Sequence, residues 1–299
     1  MEKTTNVKTK IAINGFDHWA SGSSSGASAR LYGGDAGLVL RRMKPDQVSC
    51  VVTSPPYFWQ RDYDVAGQIG MEPSVDEYVR SVCDVMDETR RVLSPDGVLF
   101  LNLGDTYYSG KGRPHGEDRK HNGRRFKMLR VVDASGLGKP RKSLLGMPWR
   151  VALEMIDRGW ILRAPIIWRR ENAIPEPNVK DRPWRTYEFV FLFSKSRTYQ
   201  FDRAHLELAD NEDVWTIESR SNAGKGHPAA FPEELVRRCL QLGNPTKGLV
   251  LDPFVGSGTV LRIAAELGMP AIGIELSSRF CRKIAAELEL VKSHSNGSI

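Results

Sequence analysis

Leu249-Val-Leu-Asp-Pro-Phe-Val-Gly-Ser-Gly-Thr259 sets a glycine-rich turn between a short apolar run and a helical stretch, Gly258 to Leu267. Ala271 to Ile274 then reads as a second strand, closed by Glu275, and the whole is a βαβ ligand site in miniature. Gly256 and Gly258 let backbone approach a ligand closely, and an acid at the second strand's end accepts hydrogen bonds from ribose hydroxyls. Asp252 and Glu275 stand twenty-three residues apart, near the roughly 20 expected of nucleoside-binding units. No Lys follows the glycines, which disfavours a phosphate-cradling loop. Leu261 stands where a dinucleotide motif needs its third glycine. A nucleoside without a pyrophosphate fits better, and a plain tight turn is the alternative this motif alone leaves open.

On the N-terminal side of this motif, short apolar runs alternate with amphipathic stretches, which predicts an α/β domain with a largely parallel sheet covered by helices on both faces. Val48 to Thr53 is a β-branched run that must end at Pro55-Pro56, since proline brings no N–H to a ladder. Ser74-Val-Asp-Glu77 is a capping box, and Val75, Tyr78, Val79, Val82, Met86 and Leu93 keep helical spacing until Ser94-Pro-Asp-Gly97 stops the element. Val98 to Leu103, 160–169 and 186–194 read as strands; 147–158, Pro232 to Leu242 and Ser277 to Leu288 read as helices. The sequence divides into a flexible N-terminal arm (1–30, containing the Ser/Gly-rich stretch Ser21 to Ser28), a domain over 31–290 and a tail, 291–299.

The 299 residues are 40% hydrophobic and 26% charged, ordinary globular composition. The longest apolar run, Phe189 to Phe193, is far short of a membrane span, and the chain reads as soluble and intracellular. Cys50, Cys83, Cys239 and Cys281 lie too far apart for a zinc site or redox pair and read as buried hydrophobes; no metal is expected. The net charge of +7 is concentrated between Gly110 and Ser143, where eleven cations face Glu117, Asp118 and Asp133. That stretch reads as a glycine-rich insert at about 109–143 suited to a polyanion, with a solvated charged loop as the bland alternative.

Thr53-Ser-Pro-Pro-Tyr57 carries the chemistry. Two consecutive prolines fix φ, so the Ser54 hydroxyl and the Ser54 and Pro55 carbonyls form a rigid set of acceptors beyond the sheet edge, with Tyr57 offering an aromatic face. Such a set suits an exocyclic amine on a planar base. Accepting its hydrogens in tetrahedral directions returns the ring-delocalised lone pair to nitrogen and makes the amine a better nucleophile. Taken by itself, the pentapeptide also reads as a strand stop with a packed tyrosine.

Thr53-Ser-Pro-Pro-Tyr57 and Asp252-Pro-Phe-Val-Gly-Ser-Gly-Thr259, in that order, closely resemble the amino-group DNA methyltransferases that use S-adenosylmethionine, in the permuted arrangement where the catalytic motif precedes the cofactor motif. Further segments resemble the family in order. Gly34-Asp35 is similar to the segment contacting the cofactor's adenine, and Asn102-Leu-Gly-Asp-Thr-Tyr107 to a strand end after the catalytic helix. Ile166-Ile-Trp-Arg-Arg-Glu-Asn172 with Pro175 is similar to the loop holding the target base, and His227-Pro-Ala-Ala-Phe-Pro232 to the segment at the cofactor's methionine portion.

The resemblance implies a Rossmann-like methyltransferase sheet, catalysis at Ser54, Pro55, Pro56 and Tyr57, and a cofactor site made of Asp35, Thr53, His227, Phe231, Asp252, Pro253, Phe254, Gly256, Ser257, Gly258, Thr259 and Glu275. It implies double-stranded DNA as partner, with a flipped base stacked on Tyr57, helped by Phe58 or Trp59. Arg113, Arg124, Arg125 and Arg130 of the insert, with Asn172, are the expected DNA contacts, and Lys180, Arg182 and Arg185 are further cations for the same cleft. Ser54 stands where adenine-specific relatives commonly carry Asp or Asn, which points to cytosine N4 as acceptor. Adenine N6 is the runner-up, and a non-catalytic DNA-binding regulator the reading from another class. A cytoplasmic setting in a bacterial, archaeal or phage-infected cell, and a homodimer or a cognate restriction endonuclease as further partner, complete the expectation.

Overall fold

Strand β3 (Val48–Thr53) shows how the sheet is covered. Val48 and Val51 join one hydrophobic core while Cys50 and Val52 join another, because successive side chains of a strand point to opposite faces. Strand β4 (Leu93–Leu103) does the same with Leu99 and Leu101 against Val98 and Phe100, and β6 (Tyr187–Ser194) with Phe191 and Phe193 against Val190 and Leu192. Apolar residues on both faces require cover on both. Helices α1 (Ala36–Leu40), α2 (Val75–Val92) and α3 (Met147–Asp157) supply it on one side; α4 (Glu233–Gly243), α5 (Thr259–Glu266) and α6 (Ser278–Glu287) supply it on the other.

The computed structural model describes residues 17–20, 28–108, 138–140, 142–173, 175–205, 213–219 and 232–293. With β1 (Asp17–Ala20), β2 (Ala29–Gly33), β5 (Ile161–Arg170), β7 (Val214–Ile217), β8 (Val250–Asp252), β9 (Ala271–Glu275) and β10 (Val291–Ser293), the sheet has the order β10-β1-β2-β9-β8-β3-β4-β6-β5-β7. Its centre, β2-β9-β8-β3-β4, is parallel throughout. The flanks correct the expectation of a largely parallel sheet: β6 runs antiparallel to both β4 and β5, and β1 antiparallel to both β2 and β10.

Three boundaries also differ from the sequence reading. Asp17–Ala20, assigned to a flexible arm, is a strand whose Trp19 is buried in the core, as are Ala29 and Leu31 of its neighbour β2. The low-apolar composition belongs to Ser21–Ser28 and does not extend to the Trp beside it. Val291–Ser293, assigned to the tail, pairs with β1. The helix stops before Ser94-Pro-Asp-Gly97 as read, but the strand expected from Val98 already begins at Leu93: Val48 pairs with Leu93 and Cys50 with Val98, so these four residues bulge within β4. The α2 cap forms at Ser74, whose hydroxyl accepts from the Glu77 N–H at 3.2 Å and donates to the Glu77 carboxylate at 3.0 Å.

Candidate active site

The parallel centre brings the carboxyl ends of β2, β9, β8, β3 and β4 to one edge of the sheet, where ligands of open α/β sheets bind. Strand β5 ends at the same edge, because two successive antiparallel pairings restore its direction. A cavity of about 1500 Å³ opens there, lined by Asp35, the Ser54–Tyr57 corner, Gly256 and Glu275, and Arg170 and Glu188 from the antiparallel flank. Residues separated by more than two hundred positions share one chamber because the strands before them are neighbours.

At the proline corner the two carbonyls differ. The Pro56 carbonyl accepts from the Tyr78 hydroxyl at 3.0 Å, whereas no group among the described residues donates to the Pro55 carbonyl. Ser54 and Pro55 both line the cavity. Tyr57 is anchored through its hydroxyl. Its hydroxyl donates to Glu188 Oε2 at 2.7 Å, with Asn102 Oδ1 at 3.1 Å and the Ser54 hydroxyl at 3.4 Å. A Cβ on Gly104 would stand 2.7 Å from Tyr57 Cε2, so only glycine leaves this ring its place. Burial, and then the Glu188 charge, push the Tyr57 phenol well above its ordinary range, which keeps it a neutral donor.

The glycine corner is organised by two buried acids. Asp252 Oδ1 accepts from the Thr53 hydroxyl at 2.7 Å and from the Phe254 N–H at 3.0 Å. Glu275 accepts from the Gly256 N–H at 3.0 Å through Oε2 and from the Ser277 N–H at 2.8 Å through Oε1. Burial pushes both carboxyls up to about 7, against the pull of those same donors. The Thr53–Asp252 bond joins the two motifs directly across the β3–β8 pair, with both residues fully buried.

The cavity wall holds Asp35, Ser54, Pro55, Pro56, Tyr57, Asp252, Pro253, Phe254, Gly256, Ser257, Thr259 and Glu275. Asp35 also caps α1, accepting from the Leu38 N–H at 2.8 Å. Thr53 and Gly258 lie behind the wall. Gly258 has φ 81° at the start of α5, and its missing Cβ leaves room for Ile284, 3.1 Å away, so its glycine serves helix packing. Asn172 turns its carbonyl to the N–H and hydroxyl of Ser219, at 2.7 and 2.6 Å, and so braces a cavity residue from outside. Arg185 lines the cavity, and Arg182 stacks on Tyr107 with its guanidinium carbon 3.8 Å from the ring centre. Phe58 and Trp59 correct the reading that gave them to base stacking: both are buried, Phe58 against Tyr78 and Trp59 donating to the Glu72 carbonyl. His227, Phe231, Arg113, Arg124, Arg125 and Arg130 lie outside the described residues.

Sequence reasoning missed Glu188 and the cover formed by Gln60, Arg61, Tyr63 and Gln68, and named Arg170 only within the Ile166–Asn172 segment; all of them are on the wall. The available signal was a charge at the end of each apolar strand on the antiparallel flank, Arg170 after Ile161–Trp168 and Glu188 before Phe189.

The glycine corner and the proline corner share one chamber, the arrangement expected of a group-transfer enzyme that brings a nucleoside cofactor to an amine. Similarity to known proteins makes this specific: the family model described as DNA methylase, covering N6 and N4 methyltransferases, matches residues 48–287, and the chain belongs to that family. It is 40% identical over 266 residues to the Type II methyltransferase M.XycI of Xanthomonas campestris pv. cyanopsidis, covering 87% of each chain. It is 41% identical over 259 residues to M.Cfr9I of Citrobacter freundii, covering 84% of this chain and 85% of the relative. Among solved structures, its fold is similar to that of PvuII DNA methyltransferase (cytosine-N4-specific), with a TM-score of 0.68, 22% identity, and coverage of 90% and 88%. It is also similar to TTHA0409 from Thermus thermophilus in complex with S-adenosyl-L-methionine, with a TM-score of 0.62, 24% identity, and coverage of 86% and 92%.

Proposed function

We propose that this DNA methylase transfers a methyl group from S-adenosylmethionine to the exocyclic N4 of cytosine in double-stranded DNA. The observation that carries the reading is the Ser54 hydroxyl and the uncommitted Pro55 carbonyl on the same cavity as Gly256 and Glu275. The residues fit the cofactor: a buried carboxylate faces the chamber for the ribose, Asp35 is available to the adenine, and Gly256 at φ 52° leaves close access for the nucleoside. His227 and Phe231 are assigned to its methionine portion by their motif. When bound, S-adenosylmethionine supplies an electrophilic methyl group on a cationic sulfur.

The chain's own work lies at the proline corner. Ser54 and Pro55 accept the two amine hydrogens in tetrahedral directions and draw the lone pair from the ring back onto nitrogen; Tyr57, fixed through its hydroxyl, carries the base on its face. Alignment of this kind contributes up to roughly 7–11 kcal/mol in well-oriented systems, and fixed dipoles add to it. The insert cations Arg113, Arg124, Arg125 and Arg130 are our proposed DNA contacts. The Type II designation of the relatives supports a place beside a restriction endonuclease.

The test is incubation with methyl-labelled S-adenosylmethionine and DNA, followed by digestion to nucleosides. N4-methylcytosine is the expected product. N6-methyladenine alone refutes the base assignment, and no transfer to any base refutes the enzyme reading.

A further inference from the structure

A run of polar contacts follows the cavity wall from Ser54 to Arg170. The Ser54 hydroxyl lies 3.4 Å from that of Tyr57, Tyr57 donates to Glu188 Oε2 at 2.7 Å, and Glu188 Oε1 stands 3.6 Å from Arg170 Nη1. Arg170 Nη2 donates to the Arg185 carbonyl at 2.8 Å, which fixes the guanidinium plane. That is the one acceptor within hydrogen-bond distance that the described residues give this side chain; its Nε has none. The side chain closes β5 and lines the cavity with Ser54 and Tyr57. A forked donor, with Nη hydrogens that no acceptor among the described residues takes, thus lines the same chamber as Ser54 and Pro55.

We propose that Arg170 selects the target base. With the amine held at Ser54 and Pro55, its guanidinium donates to acceptor atoms of the same ring, N3 and the O2 carbonyl of cytosine. Along this edge cytosine presents an amine, then two acceptors. Adenine presents an amine, one acceptor (N1) and then a C–H. A fork therefore gains two contacts from cytosine and one from adenine. Arginine suits the place for a second reason: it does not give up its proton at any working pH, so it can bond N3 without protonating it, and protonation there would quench the amine. Glu188 could not take this role, because a carboxylate only accepts. It serves as the counter-charge that keeps both Arg170 and Tyr57 in place.

The inference rests on the cytosine-N4 reading, and one set of measurements separates the two. Duplexes carrying the enzyme's own site, with cytosine or adenine at the target position, are methylated by the wild-type protein and by Arg170→Leu and Arg170→Lys, with cofactor affinity and Tm measured alongside. In Arg170→Leu, kcat/KM on cytosine is expected to fall about 10–100-fold and on adenine by less than about threefold, as for loss of one bidentate base contact. The cytosine-to-adenine ratio collapses while cofactor affinity and Tm hold. Arg170→Lys, which keeps the charge and loses the fork, shows a smaller fall in the same ratio, and it decides the matter if the leucine variant does not fold. An unchanged ratio, or equal falls on both bases, overturns the proposal. Wild-type transfer to adenine alone defeats the cytosine reading itself, and is seen before any variant is tested.

Discussion

The two corners that meet in the cavity are built from opposite materials. After β3 the chain turns on Pro55 and Pro56, which remove two backbone donors; the Pro56 carbonyl is taken by the Tyr78 hydroxyl, and the Pro55 carbonyl accepts from no described residue. After β8 it turns on Gly256 and Gly258, which keep their N–H groups and bring the backbone close. The proline corner therefore offers acceptors, and it suits a ligand that brings hydrogens, an amine. The glycine corner uses its donors internally, on Asp252 and Glu275, and so becomes a stiff rim around buried acids, which suits them to the ribose hydroxyls of the proposed cofactor. The proposed function gives the chemistry to the first corner and cofactor binding to the second.

The largest expected effect separates those roles. Ser54→Ala and Tyr57→Ala should each lower turnover by about 10²–10³-fold, the usual loss on removing a preorganised polar group, while cofactor affinity from calorimetry stays nearly constant. Glu275→Ala should do the reverse. It should weaken cofactor binding by about 1.5–3 kcal/mol, as expected for a lost charge-assisted hydrogen bond, with a smaller change in turnover at saturating cofactor. Equal loss of both quantities in all three variants would erase the distinction.

Thr53→Val probes the joint between the corners. It removes the donor to a fully buried Asp252, so unfolding in denaturant should show about 1–3 kcal/mol lost. A double-mutant cycle with Asp252→Asn should be non-additive, because the two side chains share one bond. Additive effects would mean the corners are independent.

The smallest effects are those of pH. Asp252 and Glu275 are held near 7 in the folded chain, above their ordinary carboxylate range. The unfolded chain therefore releases these protons first. Their contribution to stability is complete below about pH 4 and is lost as pH rises through 7. Cofactor affinity should run the other way, rising severalfold across pH 7 as Glu275 ionises, since ribose hydroxyls donate best to the charged form. A pH-independent affinity in wild type would separate Glu275 from the ribose.

Much of this was legible because the motif residues stand at strand ends, where local patterning and function coincide. Val48–Thr53 and Leu249–Leu251 show as apolar runs, and the Pro-Pro and Gly-x-Gly turns mark where each run stops. Glu188 was not legible. Its relation to Tyr57 depends on β6 entering the sheet antiparallel beside β4, and nothing in Tyr187-Glu188-Phe189 announces that pairing. The same holds for Gly104, which reads as one more turn glycine until the Tyr57 ring is seen against it. Trp19 was obscured by the Ser/Gly-rich stretch that follows it, and the bulge at Ser94–Gly97 by a composition that also ends the preceding helix.

The most direct measurement is a crystal structure with S-adenosylmethionine bound. The ribose is expected against Glu275 and the methyl group pointing to the Ser54–Pro55 corner, with space for an amine nitrogen about 3–3.5 Å from the methyl carbon. A cofactor seated away from Glu275, or a methyl group with no room for a base between it and Ser54, would contradict the division of labour between the two corners.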